Sequence, residues 1–159
     1  MIAQITGNLI SKTTTEAIVD CGGVGYLVNI SVMTSDKLPE PGEKVMLHTI
    51  LIPREDALNL YGFHNETERG AFRLLISISG IGAKIALGIL SSVSIEELQE
   101  LIISRNTAGL SKLPGVGRKT AERIILELRD KIEKIDTGVV PAELVTEHAV
   151  KEEALSALM

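Results

Sequence analysis

Apolar and polar residues alternate along the first part of the chain, which is the pattern of short, half-buried β-strands. The predicted strands cover residues 2–6, 17–21, 26–30, 44–52 and 58–63. Residues 22–25 and 38–43 are typical turn sequences, and residues 53–57 are expected to break the last strand pair. Five or six short strands within residues 1–63 predict a small closed or partly closed barrel.

The period of the apolar residues then changes from two to the helical period. Apolar residues recur at spacings of three, four and seven over residues 71–78 and again over residues 121–135. Ser94 and the two acids after Ile95 are typical of a helix start, because a hydroxyl caps free N–H groups and the helix dipole favours acids. Residues 64–135 are therefore predicted to be helical.

The last part of the chain has a different composition. Residues 136–147 contain few large side chains, and we interpret them as a flexible linker. A new helical pattern covers residues 148–159. Because a lone amphipathic helix has nothing to pack against, we expect it to be the truncated start of a further helical domain.

Two stretches in the helical part share the order apolar, small, Gly, apolar, Gly, any, Lys, any, Ala. They cover residues 78–86 and 113–121, and their first glycines, Gly80 and Gly115, lie 35 residues apart. Two glycines at this spacing permit a tight turn with positive φ and leave no Cβ in the path of a ligand. The helix that follows presents free backbone N–H groups at its positive end, which is an anion site.

A lysine near the start of each following helix favours a phosphate ligand. Lys84 and Lys119 lie where the helix dipole disfavours cations, and a bound phosphate would explain both. A single Gly-x-Gly turn is explained equally well by a simple connection between two helices and by a phosphate-binding turn. Two matching copies favour a tandem helix-hairpin-helix that grips sugar-phosphate, so binding is predicted to be salt-sensitive and independent of base sequence.

The net charge of the whole chain gives a different indication about nucleic-acid binding from the charges of its separate segments. The 159 residues are 45% hydrophobic and 23% charged, as in a globular protein, and the net charge of −5 by itself argues against nucleic-acid binding. Residues 64–131 nevertheless contain 10 basic and 8 acidic residues. Acidic residues predominate in the other two regions: residues 1–63 contain 4 basic and 7 acidic residues, and residues 132–159 contain 2 basic and 6 acidic residues. Positive charge is concentrated where the phosphate sites are predicted.

Other kinds of site lack support in the sequence. The single Cys21 cannot form an internal disulfide and fits a reducing compartment, and the three histidines lack metal-ligand spacing. Residues 22–25 are not followed by the Lys-Ser/Thr of a phosphate-binding loop, so no nucleotide cofactor is expected. Without a signal peptide or long apolar span, we expect a cytoplasmic protein that does not contact a membrane.

Four separated stretches, in order and at matching spacing, resemble the RuvA family of bacterial Holliday-junction-binding proteins. They are residues 22–26, 54–57, 60–63 and 113–123. The resemblance covers residues 1–135 and implies an α+β multidomain chain. The implied parts are an OB-fold barrel at 1–63, a tandem helix-hairpin-helix domain at 64–135, a linker at 136–147 and, at 148–159, the start of a third helical domain.

The resemblance implies a non-catalytic subunit of the RuvAB branch-migration complex. It would bind Holliday junctions as a homotetramer, or as two tetramers around one junction, hold the junction open and target the RuvB motor during recombination, DNA repair and the SOS response. RuvB would consume the ATP and would be bound by the third domain, of which this chain contains only the start. The RuvC resolvase is a further implied partner, and the implied location is the bacterial cytoplasm.

Individual roles follow from the same resemblance. Glu55 and Asp56, which alone indicate only a solvated hairpin tip, would form an acidic pin that repels phosphates at the junction centre. Arg54 would either orient the pin or contact DNA, and Arg123 fits a solvated helix face nearly as well as a DNA contact. The implied DNA-binding residues are Ser79, Gly80, Ile81, Gly82, Lys84, Pro114, Gly115, Val116, Gly117, Arg118, Lys119 and Arg123.

Two alternative functions fit parts of the sequence. A DNA glycosylase or nuclease also uses helix-hairpin-helix turns, but such glycosylases need a nearby catalytic Asp, and none occurs between Thr120 and Arg129. An OB-fold adaptor of purely structural role would bind no DNA even at low salt. An incision assay on damaged duplex and a binding assay at low salt distinguish these alternatives from the junction-binding hypothesis.

Overall fold

The computed structural model describes residues 1–136, which form a β-barrel followed by a helical domain. The elements are β1 (Gln4–Lys12), β2 (Glu16–Cys21), β3 (Val24–Ile30), α1 (Val32–Lys37), β4 (Lys44–Arg54), β5 (Ala57–Phe63), α2 (Glu66–Ile76), α3 (Ala83–Ser92), α4 (Ile95–Ile103), α5 (Thr107–Ser111) and α6 (Arg118–Asp136). The predicted linker, beyond Asp136, and the predicted last helix lie outside the described residues. No described helix is long and apolar enough to cross a membrane.

The five strands close into a barrel in the order β1-β2-β3-β5-β4. Neighbouring strands are antiparallel except β3 and β5, which run parallel. Inward-facing aliphatic side chains fill the interior, and six of them are at most 1% exposed: Leu9, Ala17, Val19, Val28, Ile30 and Leu47. The barrel and the helical domain after it confirm the predicted fold class.

The strand prediction differs from the structure at three places. The first strand, predicted over residues 2–6, is β1 and continues through Gly7 to Lys12. Residues 32–37 form α1, which was not predicted and begins where the Ser31 side chain accepts the N–H of Thr34. The expected break at residues 53–57 is only a two-residue turn, because β4 continues to Arg54 and β5 begins at Ala57. Pro53 fits in β4 because it lies beyond the part of that strand that pairs with β1.

The start of α4 shows the predicted cap in full. The Ser94 side chain accepts the N–H of Glu97 at 3.0 Å, and the Glu97 carboxylate accepts the N–H of Ser94 at 2.9 Å. Two N–H groups without helical partners are thereby satisfied in a reciprocal capping box. The cap fixes the point at which the chain turns from α3 into α4.

We expect Ser94→Ala to lower the free energy of unfolding by about 1 kcal/mol, because the capping hydroxyl is lost. For a protein of this size the melting temperature should fall by roughly 2–4 °C. Thermal unfolding followed by circular dichroism measures the change. Ser94→Asp, which keeps an acceptor at the same position, is the control and should melt near the wild-type temperature. Equal melting of the alanine variant and the wild type would contradict this role of the cap.

The core of the helical domain reaches into the barrel through β5. Phe72 of α2 is fully buried, and its ring centroid lies 5.2 Å from that of Tyr61 and 4.9 Å from that of Phe63. Burial raises the pKa of the Tyr61 phenol, an effect that the positive charge of Arg54 partly opposes. β5 therefore begins at the acidic turn and ends in the core of the helical domain, so one strand connects the two regions.

Candidate nucleic-acid interface

The hairpins α2–α3 and α5–α6 have the same backbone hydrogen bonds in their turns. Three N–H donors and their carbonyl acceptors repeat with an offset of 35 residues, at 3.0 to 3.3 Å. Donor first, the pairs are Ser77–Leu74, Ile78–Leu75 and Ile81–Ile78 in one hairpin, and Lys112–Gly109, Leu113–Leu110 and Val116–Leu113 in the other. The repeat seen in the sequence is therefore also a structural repeat.

The first glycine of each pair determines the shape of the turn. Gly80 and Gly115 have φ of 98° and 77°, a region that L side chains rarely adopt. A Cβ on Gly115 would lie 3.0 Å from the Ile85 side chain, and one on Gly80 would lie 3.9 Å from the Thr120 hydroxyl. Because Ile85 and Thr120 are also 35 residues apart, each turn packs against the helix that follows the other turn.

The second glycine of each pair leaves the outer side of the turn open. A Cβ on Gly82 or Gly117 would meet no atom within 4 Å, and neither residue has a positive φ. Each immediately precedes a helix, α3 or α6. The first N–H groups of a helix have no acceptor within it, so they point outward beside the open glycine. Each turn therefore leaves room for an external anion to reach the first N–H groups of the helix.

A side-chain hydrogen bond links the two hairpins, and the equivalent residues of the repeat also lie close together. Arg123 of α6 donates from Nη1 to the carbonyl of Ser79 at 3.3 Å. At the equivalent place in the other hairpin, a Cβ on Gly88 would lie 3.8 Å from the Pro114 side chain. Sequence reasoning left Arg123 between a DNA contact and a solvated face, and missed this link. No local sequence signal indicates it, because the two residues lie 44 positions apart in the chain.

Three exposed cations surround the open turns: Lys84 in the first turn of α3, and Arg118 and Lys119 in the first turn of α6. Arg118 forms an ion pair with Glu122 at 3.6 Å, with the two side chains 84% and 58% exposed. So exposed a pair contributes little and leaves the guanidinium available to a stronger anion. The site therefore combines fixed backbone donors with mobile positive charges.

Two of the predicted DNA-binding residues have their side chains in the core. Ile81 and Val116 are each 4% exposed, and their N–H groups donate to carbonyls within the turn. They therefore hold the turn in shape, and the structure leaves neither N–H group for a phosphate. Ser79 and Pro114, in contrast, are exposed at the turns.

The predicted acidic pin occupies the β4–β5 turn. Glu55 and Asp56 are its two residues, and both are exposed. Among the described side chains, those of residues 1–132, neither carboxylate takes part in an ion pair. Their negative charge therefore lies at the surface of the barrel, next to the exposed Arg54. Within the same residues, no group of three or more His, Cys, Asp or Glu side chains is arranged to hold a metal ion.

Comparison with known proteins identifies the family. A family model described as "RuvA N terminal domain" matches residues 1–62, and one described as "SAM-like Helix-hairpin-helix tandem" matches residues 72–130. A Methylobacillus flagellatus protein named "Holliday junction branch migration complex subunit RuvA" is 44% identical over 159 residues, covering 100% of this chain and 81% of its own. The chain belongs to the RuvA family.

Further RuvA proteins show similar agreement. The Ralstonia pickettii protein of the same name is 47% identical over 160 residues, covering 100% of this chain and 81% of the relative. The Delftia acidovorans protein is 49% identical over 138 residues, covering 87% of this chain and 72% of the relative. The two regions matched by the family models, residues 1–62 and 72–130, coincide with the barrel and with the pair of hairpins described above.

We expect Lys84→Ala and Lys119→Ala each to reduce duplex DNA affinity by about threefold and to lower the slope of log affinity against log salt by about 1, because one phosphate contact is lost. Fluorescence anisotropy at several salt concentrations measures both quantities. Lys131→Ala, an exposed site later on α6, is the matched control and should change neither. A salt slope that is the same in all three variants would contradict the placement of the site.

Proposed function

We propose that the chain is a non-catalytic subunit of a branch-migration complex and binds Holliday-junction DNA without base specificity. The observation that supports this most strongly is the pair of equivalent open turns, each with outward backbone N–H groups and a nearby lysine. Phosphate oxygens are the acceptors that such donors recognise, and phosphates are the same in every sequence. The name shared by the relatives supports the choice of the four-way junction over other nucleic acids.

We further propose that the functional form is a homotetramer, with two tetramers able to enclose one junction. A four-way junction has four arms, and a cyclic tetramer presents one equivalent pair of hairpins to each arm. The barrels would lie at the centre and the hairpins outside. In this arrangement four copies of Glu55 and Asp56 surround the crossover, where they repel phosphates while the outer hairpins attract the arms.

The proposed role in branch migration requires a motor, since the proposal gives this subunit no ATP chemistry. RuvB is the proposed motor, bound through the segment that follows the hairpin domain, and RuvC is the proposed resolvase that acts on the same junction. The proposed location is the bacterial cytoplasm, where homologous recombination and DNA repair take place. The subunit would hold the arms in an open, planar arrangement so that the motor can draw DNA through the complex.

A gel-shift comparison of a four-way junction with linear duplexes of several sequences tests the proposal. We expect the junction to bind at least tenfold more tightly than any duplex, and the duplexes to bind equally at a given salt concentration. Equal affinity for junction and duplex would contradict the proposal. Absence of DNA binding at low salt would favour the adaptor alternative, and incision of the DNA would favour the enzyme alternative.

A further inference from the structure

A buried carboxylate lies where the helical domain meets the barrel. Glu68 of α2 is only 3% exposed, and its carboxylate accepts hydrogen bonds from the Ser31 and Thr34 hydroxyls and from His64 Nδ1. Ser31 and Thr34 belong to the cap and body of α1, which follows barrel strand β3. The carboxylate therefore joins the first turn of α2 to a helix of the barrel domain.

The hydrogen-bond pattern requires an acceptor at both oxygens of Glu68. The Ser31 hydroxyl already accepts the Thr34 N–H at 3.0 Å, and the Thr34 hydroxyl accepts the His64 N–H at 3.2 Å. An ionised carboxylate can only accept, so each hydroxyl donates its single hydrogen to Glu68, Ser31 to Oε2 and Thr34 to Oε1. A carboxylate meets this requirement, whereas the amide of glutamine presents only one acceptor atom.

The histidine completes the same network. Asn65 accepts the Glu68 N–H through Oδ1 at 2.8 Å, so its Nδ2 group is the donor to His64 Nε2 at 3.0 Å. A neutral His64 that accepts at Nε2 carries its hydrogen on Nδ1, which donates to Glu68 Oε1 at 3.1 Å and also lies 3.2 Å from the Thr34 hydroxyl oxygen. All the polar groups of the network are thus paired, which fixes the arrangement of α1 and α2.

The residue after Glu68 makes a second connection to the barrel. Arg69 Nη1 donates to the carbonyls of Ala3 and Thr49, at 3.1 and 3.3 Å, and Nη2 lies 3.0 Å from Glu66. Ala3 precedes β1, and Thr49 is in β4. The Arg69 connection therefore reaches a part of the barrel domain other than α1, which Glu68 contacts. The first turn of α2 is therefore held to the barrel domain in two directions.

Small rotations of α2 against the barrel domain would move the acidic pin relative to the hairpins. β5 leads from the pin to α2 through seven residues, and α2 leads to the first hairpin turn through eleven. At standard rises these elements span about 23 and 17 Å, so a tilt of about 10° would displace the pin by about 4 Å. A displacement of that size is comparable to the distance over which a carboxylate strongly repels a phosphate.

We propose that Glu68 and Arg69 are positioning residues that set the pin relative to the phosphate-binding hairpins, so that both act on one junction. This inference rests on the proposed function. Neither side chain needs to contact DNA. Their effect should therefore be on opening of the junction crossover, which requires pin and hairpins together, and not on duplex binding, which requires the hairpins alone.

The test compares Glu68→Gln and Arg69→Gln with the wild type, each in the normal background and in the Glu55→Gln/Asp56→Asn background. Binding of duplex and junction is measured by anisotropy, and opening by fluorescence of 2-aminopurine placed at the crossover. We expect each variant to bind duplex within twofold of the wild type and to lose at least threefold of the opening signal. In the pin-neutral background the same substitutions should cause no further loss.

Ser94→Ala is the matched control, since it weakens the helical domain without touching this network, and it should keep the wild-type opening signal. Equal losses of duplex binding and opening, or an additional loss in the pin-neutral background, would overturn the inference by showing a general structural role. If both variants open the junction crossover like the wild type, and the wild type prefers the junction over duplex, the positioning role is overturned and the proposed function is not. A wild-type protein without junction preference would instead contradict the proposed function.

Discussion

Replacing Gly82 and Gly117 together by alanine is expected to lower DNA affinity by about 100-fold while leaving the protein folded. Neither residue has a positive φ, and an added methyl group would meet no protein atom within 4 Å outside the neighbouring residues. The methyl groups would instead project from the open side of each turn, where a phosphate must approach the helix N–H groups. A tenfold loss of DNA affinity at each hairpin corresponds to about 1.4 kcal/mol of binding free energy. Two independent sites then give the expected loss of about 100-fold.

Anisotropy with labelled duplex and junction measures this loss, and thermal unfolding verifies the fold. Gly25→Ala is the matched control, because its new Cβ would make an ordinary 3.7 Å contact with Ile18 in the barrel. Gly115→Ala gives the opposite pattern, since positive φ and a 3.0 Å contact with Ile85 make it destabilising. Normal DNA affinity in a folded Gly82→Ala/Gly117→Ala protein would show that the open turns are not the phosphate sites.

Neutralising the pin with Glu55→Gln and Asp56→Asn is expected to raise linear duplex affinity by about tenfold and to abolish most crossover opening. Both carboxylates are exposed, and neither has an ion-pair partner among the side chains of residues 1–132, so both can repel nearby phosphates. Each repulsion between a pin carboxylate and a DNA phosphate is worth a fraction of a kcal/mol. Several such repulsions, summed over a tetramer, give the expected tenfold change in duplex affinity. Salt should reduce the difference, because exposed charges are screened.

Duplex binding at low and high salt, together with 2-aminopurine fluorescence of a junction, measures these effects. Glu40→Gln, an exposed carboxylate in another barrel loop, is the control and should leave both unchanged. If the pin-neutral protein binds duplex and opens junctions like the wild type, the acidic turn has no part in the mechanism.

The fold was largely predictable because each domain has its own periodicity. Alternation predicts the barrel, and helical spacing predicts the domain after it, since both patterns reflect the burial of one face. α1 was missed because its six residues are too few to show a period and its start depends on the Ser31 side chain. The β4–β5 turn was predicted too long because Pro53 is a strand breaker only where its missing N–H matters.

The candidate site was predictable where local sequence determines it. The glycine pairs and lysines follow from one repeated motif, and the structure places both copies in equivalent turns. Ile81 and Val116 were included because they lie between the glycines, yet their side chains face the core. The role of Glu68 had no sequence signal, because its partners Ser31 and Thr34 are more than 30 residues away.

The most direct measurement of how this protein holds DNA is the amide NMR spectrum of the labelled chain as a short duplex is added. We predict the largest shifts at the N–H groups that begin α3 and α6, namely those of Gly82, Ala83, Lys84, Gly117, Arg118 and Lys119. The N–H groups of Ile81 and Val116, which are bonded within their turns, should shift less. Largest shifts on the barrel strands, or at only one hairpin, would contradict binding by two equivalent backbone sites.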